Sequence, residues 1–414
     1  MRRRPIFALR EAIELSRDLR LILLSNFLWS SGSMLYYFLW PIYVRDLGGT
    51  AREIGLLTSL MFLTSALTLI PGGWFADRLE RKRLLLVTWV VATPAPVVYA
   101  LARSWVGLIP GVVIYSFFLG WPAFEAYIAH AAPSERLSRA FALTSAGFSL
   151  GAVLSPLAGA ALLPSLGIRG LFLISFGLFA ASTATLFLIS PQPPPRSRSS
   201  ERGPAGSYLQ GLLSALRDRR LGRWWAAFAL AALGASAARP FIPAFLEDGY
   251  RFSRPAILMA SALLALGEVV IAVGLGWVGD RWWRSGALGL SFLCVVLGLG
   301  LLLFGGAPGA LLAMFLLGGD RVSISLSRAL IGSYAPVGTS GALFALYWVI
   351  VDGAGAGGPY LGGMLYDSSP PRLFLGASGL VLAALALVVL PPRGGRELVR
   401  PSVGASRPEV KEAR

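Results

Sequence analysis

The sequence predicts an all-α membrane protein, with twelve transmembrane helices arranged as two pseudo-symmetric bundles of six. Three observations predict it. Only 14% of the residues are charged and 55% are hydrophobic, with a mean hydropathy of +0.67, too little charge to cover a soluble chain of 414 residues. Apolar runs of about 20 residues, enough to cross a bilayer core, recur along the whole chain. A sequence pattern also repeats at a single offset. Gly73, Trp74, Asp77, Arg78 and Arg81 are matched 203 residues later by Gly276, Trp277, Asp280, Arg281 and Arg284. The same offset pairs Pro133 with Pro336, Phe141-Ala142-Leu143 with Phe344-Ala345-Leu346, Pro156 with Pro359, and Gly159 with Gly362. The chain reads as a duplicated membrane protein.

The first bundle, residues 1–190, opens with a cytoplasmic arm. Its spans 1 to 6 fall at Leu21–Val44, Glu53–Ala76, Leu84–Ala102, Val106–Ala129, Ala140–Leu163 and Ile168–Ile189. Span 1 is too long for a signal-peptide core and lacks a small-residue cleavage site, so it reads as a retained helix. Residues 191–221 form a linker that begins Pro-Gln-Pro-Pro-Pro. Within it, Ser207–Arg220 carries an apolar face suited to lying on the inner leaflet. The second bundle, residues 222–392, holds spans 7 to 12 at Trp224–Leu246, Pro255–Gly279, Ser285–Phe304, Pro308–Ile331, Gly341–Leu365 and Leu373–Leu390. Residues 393–414 read as a basic, disordered cytoplasmic tail. Loops on one side are only a few residues long, so successive spans are antiparallel neighbours. Glycine inside the spans lets backbones approach closely in lipid.

Charge sets the sidedness. Of 37 Lys and Arg, 27 fall on the side of the N-terminus and 7 on the other. This positive-inside bias puts both termini in the cytoplasm of a cell in whose inner or plasma membrane the protein sits. It also accounts for the net charge of +16 without a nucleic-acid partner. Cys294 is the only cysteine and His130 the only histidine. An internal disulfide and a cysteine-built or histidine-built metal site are therefore excluded. Neither a nucleotide-binding loop nor a nucleophile–base pair is visible, so the chain reads as no enzyme, with no cofactor or metal and no ATP as its energy source. Nothing requires a partner subunit, and a monomer is expected.

The loop after span 2 resembles a signature of the major facilitator superfamily of secondary transporters, Gly-x-x-x-Asp-Arg-x-Gly-Arg-Arg. Gly73, Asp77, Arg78, Arg81 and Lys82 match it, while Glu80 replaces its second glycine and Trp283 departs from it in the second copy. Gly151-x-x-x-Ser155-Pro156-x-x-Gly159 in span 5 resembles a glycine–proline motif of drug/proton antiporters, and Gly358-Pro359-x-x-Gly362-Gly363 in span 11 is a fuller copy. The resemblance covers residues 20–392. It implies two bundles related by a pseudo-twofold axis along the membrane normal, a cavity between them lined by spans 1, 4, 7 and 10, and rocking of the halves. Spans 2, 5, 8 and 11 would form the sliding interface, bending at Pro156, Gly159, Pro359 and Gly362. Asp77 would face the N-terminus of span 11 near Ser340 and Gly341, where the helix dipole favours a negative charge. Asp280 would do the same against span 5. Alternatively, Asp77 anchors Arg78 and Arg81 on the membrane surface.

Seven charged residues fall inside the spans: Glu125, Arg239, Glu268, Asp320, Arg321, Arg328 and Asp352. A charge in the bilayer core costs several kcal/mol unless paired or hydrated, so each is a functional candidate. Three arginines leave one acid over, and an unpaired, partly buried carboxylate is suited to carrying a proton. Glu268 and Asp320 lead as proton carriers, with Asp352 third; the other reading is a fixed network that neutralises Arg239 and Arg321. Glu125 and Arg328 are again 203 apart and of opposite sign. They would meet across the axis when the cytoplasmic side closes, or be shielded within their own halves. Arg321 and Arg328 share a helical face suited to an organic anion. Trp29, Tyr36 and Trp40 in span 1, and Trp121 in span 4, suit a bulky apolar or cationic solute, or else face lipid and neighbouring helices.

The expected function is alternating-access transport of a small solute, led by proton-coupled efflux of a hydrophobic or amphipathic compound. Proton-coupled uptake of an organic anion or other metabolite is the alternative, and a non-transporting sensor or scaffold a distant third.

Overall fold

A backbone amide in hydrocarbon has no water to bond, so a spanning segment must satisfy its own hydrogen bonds. In the computed structural model, which describes residues 16–76, 78–132, 137–192, 216–281, 283–334 and 340–390, the segments do this as helix, and no strand occurs among the described residues. The N-terminal arm, most of the interfacial stretch at 207–220, Asp77, the loop 133–136 and the tail lie outside them.

Span 1 consists of α1 (Arg17–Met34) and α2 (Trp40–Asp46), joined by a 3-10 turn at Tyr37–Leu39. Span 2 is α3 (Ala51–Ala76), and span 3 is α4 (Arg81–Ala92) continued by α5 (Ala95–Leu101). Span 4 holds α6 (Ile109–Tyr115) and α7 (Trp121–Ala131). Spans 5 and 6 form one run, α8 (Leu137–Phe187), which breaks at Gly167 with φ 64° and ψ 176°. That backbone conformation is open to glycine and closed to other residues, so the chain reverses there. Span 7 is α9 (Arg219–Ala238), a 3-10 turn at Arg239–Phe241, and α10 (Ile242–Tyr250). The remainder are α11 (Arg254–Arg281), α12 (Arg284–Phe304), α13 (Gly306–Leu317) with α14 (Gly319–Tyr334), α15 (Ser340–Ser368) and α16 (Pro370–Val389). These are spans 8, 9, 10, 11 and 12.

Helix therefore occupies each of the twelve expected ranges. Among the described residues, eight stretches are long and apolar enough to cross a membrane on their own, and one of these, Leu143–Phe187, covers two expected spans. Spans 1, 4, 7 and 10 are each interrupted near their middles, as is span 3 at Thr93 and Pro94. Proline explains three of the breaks. Pro41, Pro122 and Pro240 lack an N–H and crowd the carbonyl four residues back. In span 10 the break falls on Gly318 and Gly319, two weak helix formers in succession. The helix continues through Pro156 and Pro359.

Each half packs around aromatic side chains. Trp29 stacks on Phe179 with centroids 4.0 Å apart, and Tyr36 meets Phe172 edge-on at 4.7 Å. In the second half, Phe228 meets Tyr347 and Phe245 meets Phe374. Between the halves, span 2 lies on span 11 so closely that a methyl group at Gly55 would strike the carbonyl of Pro359, and one at Gly363 the carbonyl of Ala51. Span 5 also packs on span 8, where Gly159 faces the Leu258 side chain, while its close backbone approach is to the carbonyl of Leu35 in span 1.

Candidate functional site: a cavity between the halves with charged ends

The breaks in spans 1, 7 and 10 surround a cavity of about 970 Å³, counting the solvent in its mouth. Its walls include Phe38 and Trp40 from span 1, Met61 and Phe62 from span 2, and Phe148 and Pro156 from span 5. The other half contributes Ser236 and Arg239 from span 7, Leu264 and Glu268 from span 8, and Arg321 from span 10. The lining is thus mostly apolar, with three charged residues that all belong to the second half.

Glycine brings those charges together. A Cβ at Gly267 would run into the carbonyl of Phe315, and one at Gly318 into the backbone nitrogen of Glu268. Spans 8 and 10 therefore touch backbone to backbone, and this sets Asp320 and Arg321 close to Glu268. Arg239, opening the 3-10 turn of span 7, donates from Nη1 to Oδ2 of Asp320 at 3.0 Å. Glu268 and Arg321 form no ion pair among the described residues. The four charges thus divide into one neutralised pair and two groups free to bind something else. Asp352, on span 11, is half-buried and lies outside the cavity lining.

The aromatic candidates separate in the same way. Trp40 reaches the cavity wall, and its indole Nε1 is buried without a hydrogen-bond partner. Trp29 and Tyr36 sit in the packing of the first half. Trp121 stacks on Phe124 at 5.3 Å, and its indole N–H donates to the carboxylate of Glu125 one turn further on. Glu125 is exposed. Arg328 is near enough to act on it electrostatically, without an ion pair among the described residues. The Arg328 guanidinium lies over Trp348, 5.6 Å from the ring centroid, and its Nε is buried with no hydrogen-bond partner among the described residues.

At the opposite end of spans 1 and 7, five residues interlock. Arg45 donates to Glu247 and Asp248, each at 2.6 Å. Arg254 makes a two-pronged contact with Asp46, both distances 2.7 Å, and reaches Glu247 at 3.2 Å. Arg52 and Asp367 add a looser contact at 3.5 Å between spans 2 and 11. All three arginines had appeared in the sequence as ordinary loop charges. A signal was nevertheless present: Arg45 and Asp248 are separated by 203 residues, the repeat offset. Equivalent positions of a twofold repeat can touch only near the axis.

The signature loop is described except at Asp77. Arg78 stacks on Trp74 at 4.0 Å and Arg281 on Trp277 at 5.7 Å. Arg81 is buried and donates to the side chain of Gln192 at 3.2 Å. Lys82 donates to the carbonyl of Phe187 at the C-terminus of α8, where a cation suits the helix dipole. Glu80 adopts φ −60°, which any residue accepts, and pairs with Arg83 at 2.7 Å. Its departure from glycine therefore carries no strain. Gly73 and Gly276 have open space around them, and Asp280 is exposed. Gly362 packs on the carbonyl of Ala237.

Helical spans broken at mid-height around a cavity between two halves of a duplicated chain define a multi-pass membrane transporter fold. Residues 22–359 match the model of the Major Facilitator Superfamily, and the chain belongs to that family. It is 27% identical over 380 residues to the enterobactin exporter EntS of Shigella boydii serotype 18, a match covering 84% of this chain and 86% of the relative. A shorter match, 27% over 158 residues, is to the probable anion transporter 7 of Oryza sativa subsp. japonica, covering 36% of this chain and 34% of that protein. The crystal structure of the nucleoside transporter NupG superposes with a TM-score of 0.73 at 13% identity, covering 91% of this chain and all of that one. That likeness carries the fold alone.

Proposed function

We propose that the protein exports an amphipathic compound across the inner membrane in exchange for protons, by alternating access of the central cavity. One observation carries the reading. Among the intramembrane acids of the cavity region, Glu268 lies on the wall with no ion pair among the described residues, whereas Asp320 is held by Arg239. A single carboxylate can hold a proton or a substrate's cationic group, but not both at once. That exclusivity is what exchange requires, because loading one ligand must release the other. The mostly apolar wall suits the rest of an amphipathic molecule. The bacterial relative EntS is an exporter, which supports the direction.

In this reading, residues 1–190 and 222–392 rock as two bundles about the linker at 191–221, with both termini in the cytoplasm. The Arg45–Arg254 network closes the outer side, and Glu125 and Arg328 face the cytoplasmic opening. Asp77 and Asp280 act at the loop side as conformational contacts. A monomer in the bilayer suffices.

A second reading rests on Arg321, the other cavity charge without an ion pair among the described residues. An organic anion bound there would be repelled by ionised Glu268 on the same cavity wall, so protonating Glu268 would favour anion binding. Proton and solute would then travel together, as uptake requires. The two readings thus differ in sign. Proteoliposomes containing a pH-sensitive dye and exposed to a panel of amphipathic cations, neutral compounds and anions would distinguish them. Protons moving against a cationic or neutral solute, and lost in Glu268→Gln, is the expected result. Protons accompanying an anion, and lost in Arg321→Gln, would replace it with the uptake reading.

A further inference from the structure

The two Trp–Arg stacks beside the signature loops serve no role in the cavity or at either charged end, yet they are duplicated. Trp277 and Arg281 are four residues apart on one face of α11, and Arg78, in the turn just past the end of α3, folds back over Trp74 at the same spacing. The two pairs are separated by the 203-residue repeat. Trp74 lies near the end of α3 and Trp277 near the end of α11, each about 35 Å along its helix, beyond the hydrocarbon thickness. Both are more than half exposed, at 53% and 54%. Of the other two stacks, Arg223 on Trp224 has its indole 2% exposed and is packing, and Arg328 on Trp348 has no counterpart at the repeat offset.

We propose that these two stacks are binding sites for the phosphodiester headgroups of anionic phospholipids. An exposed indole at this depth lies at headgroup level. Laying the guanidinium on the ring restrains it while leaving its in-plane N–H donors open to a bidentate anion. Neither Arg78 nor Arg281 forms an ion pair among the described residues, and the neighbouring Glu80 is taken by Arg83. No carboxylate beside Arg78 among the described residues is left to hold the ammonium of a zwitterionic lipid. At Arg78 the ligand is therefore a lipid of net negative charge; beside Arg281 stands the exposed Asp280, so the same preference is expected to be weaker at that stack.

Native mass spectrometry of the full chain from nanodiscs of equal phosphatidylglycerol and phosphatidylcholine tests this. The wild type should retain two phosphatidylglycerol molecules in preference to phosphatidylcholine. Arg78→Gln should retain one, and the Arg78→Gln, Arg281→Gln double variant none. Arg78→Lys, which keeps the charge but not the planar fork, should hold its lipid more weakly than the wild type. Millimolar inorganic phosphate should leave the retained lipid in place. Equal retention of both lipids, an unchanged count in a folded double variant, or release by inorganic phosphate would overturn the proposal.

Discussion

The two ends of the axis between the halves carry the same device in opposite conditions. At one end Arg45 and Asp248, equivalent positions of the repeat, are joined at 2.6 Å inside a five-residue network. At the other, Glu125 and Arg328, also equivalent positions, feel each other's charge without forming an ion pair among the described residues. Helix packing differs in the same sense, since Gly55 and Gly363 bring span 2 onto span 11 towards the joined end. The lesson is that the duplicated sequence diverged in charge at two places near the axis. Identical residues at either place would carry like charges and repel, whereas these pairs attract. An attractive pair at each end allows either end to be held shut, and the structure holds one.

Four changes would break or sharpen this comparison. They are best read from the distance between spin labels on Leu47 and Gly249 in a Cys294→Ser background. The largest effect is expected from Gly55→Leu, whose side chain would collide with the Pro359 backbone. Overpacking of this kind costs about 1–3 kcal/mol, so the labelled end should be mostly open. Arg45→Ala removes contacts to both Glu247 and Asp248. These groups are partly exposed, so the shift should be about 1 kcal/mol, roughly fivefold in population. Arg328→Gln removes the attraction at the far end and should shorten the Leu47–Gly249 distance slightly, while a Glu125→Arg, Arg328→Glu swap should restore the wild-type distribution. Arg52→Ala should be smallest, a few tenths of a kcal/mol. Its contact is 3.5 Å long and its side chain 62% exposed. A large effect of Arg52→Ala with none from Arg45→Ala would invert the assignment.

Much of the fold was legible because lipid enforces a simple code. Run length located the spans, and the offset between Trp74 and Trp277 revealed the duplication before any contact was known. The mid-span breaks were harder to read, because Pro41 and Pro240 are also compatible with a kinked but continuous helix. The aromatic candidates show another limit. Spacing put Trp29, Tyr36 and Trp40 on one face, but which helix covers that face depends on tertiary packing. Span 6 supplies Phe179 and Phe172 against the first two, leaving Trp40 at the cavity. The charges behaved similarly. Counting assumed that each arginine inside the spans takes an acid, whereas among the described residues only Arg239 does, with Asp320, and Glu125, Glu268 and Asp352 form no ion pair. The network at Arg45 is hard to read from sequence because loop arginines usually face water, and Arg45 and Asp248 fall just outside the expected spans, unlike Glu125 and Arg328.

The most direct test of coupling between the ends is a cross-linking rate. Cysteines replacing Glu125 and Arg328, in the Cys294→Ser background, would be oxidised with and without Arg45→Ala. If the two ends alternate, loosening the Arg45 network should speed disulfide formation between the two introduced cysteines severalfold. An unchanged or slower rate would contradict the account, because the two ends would then move independently.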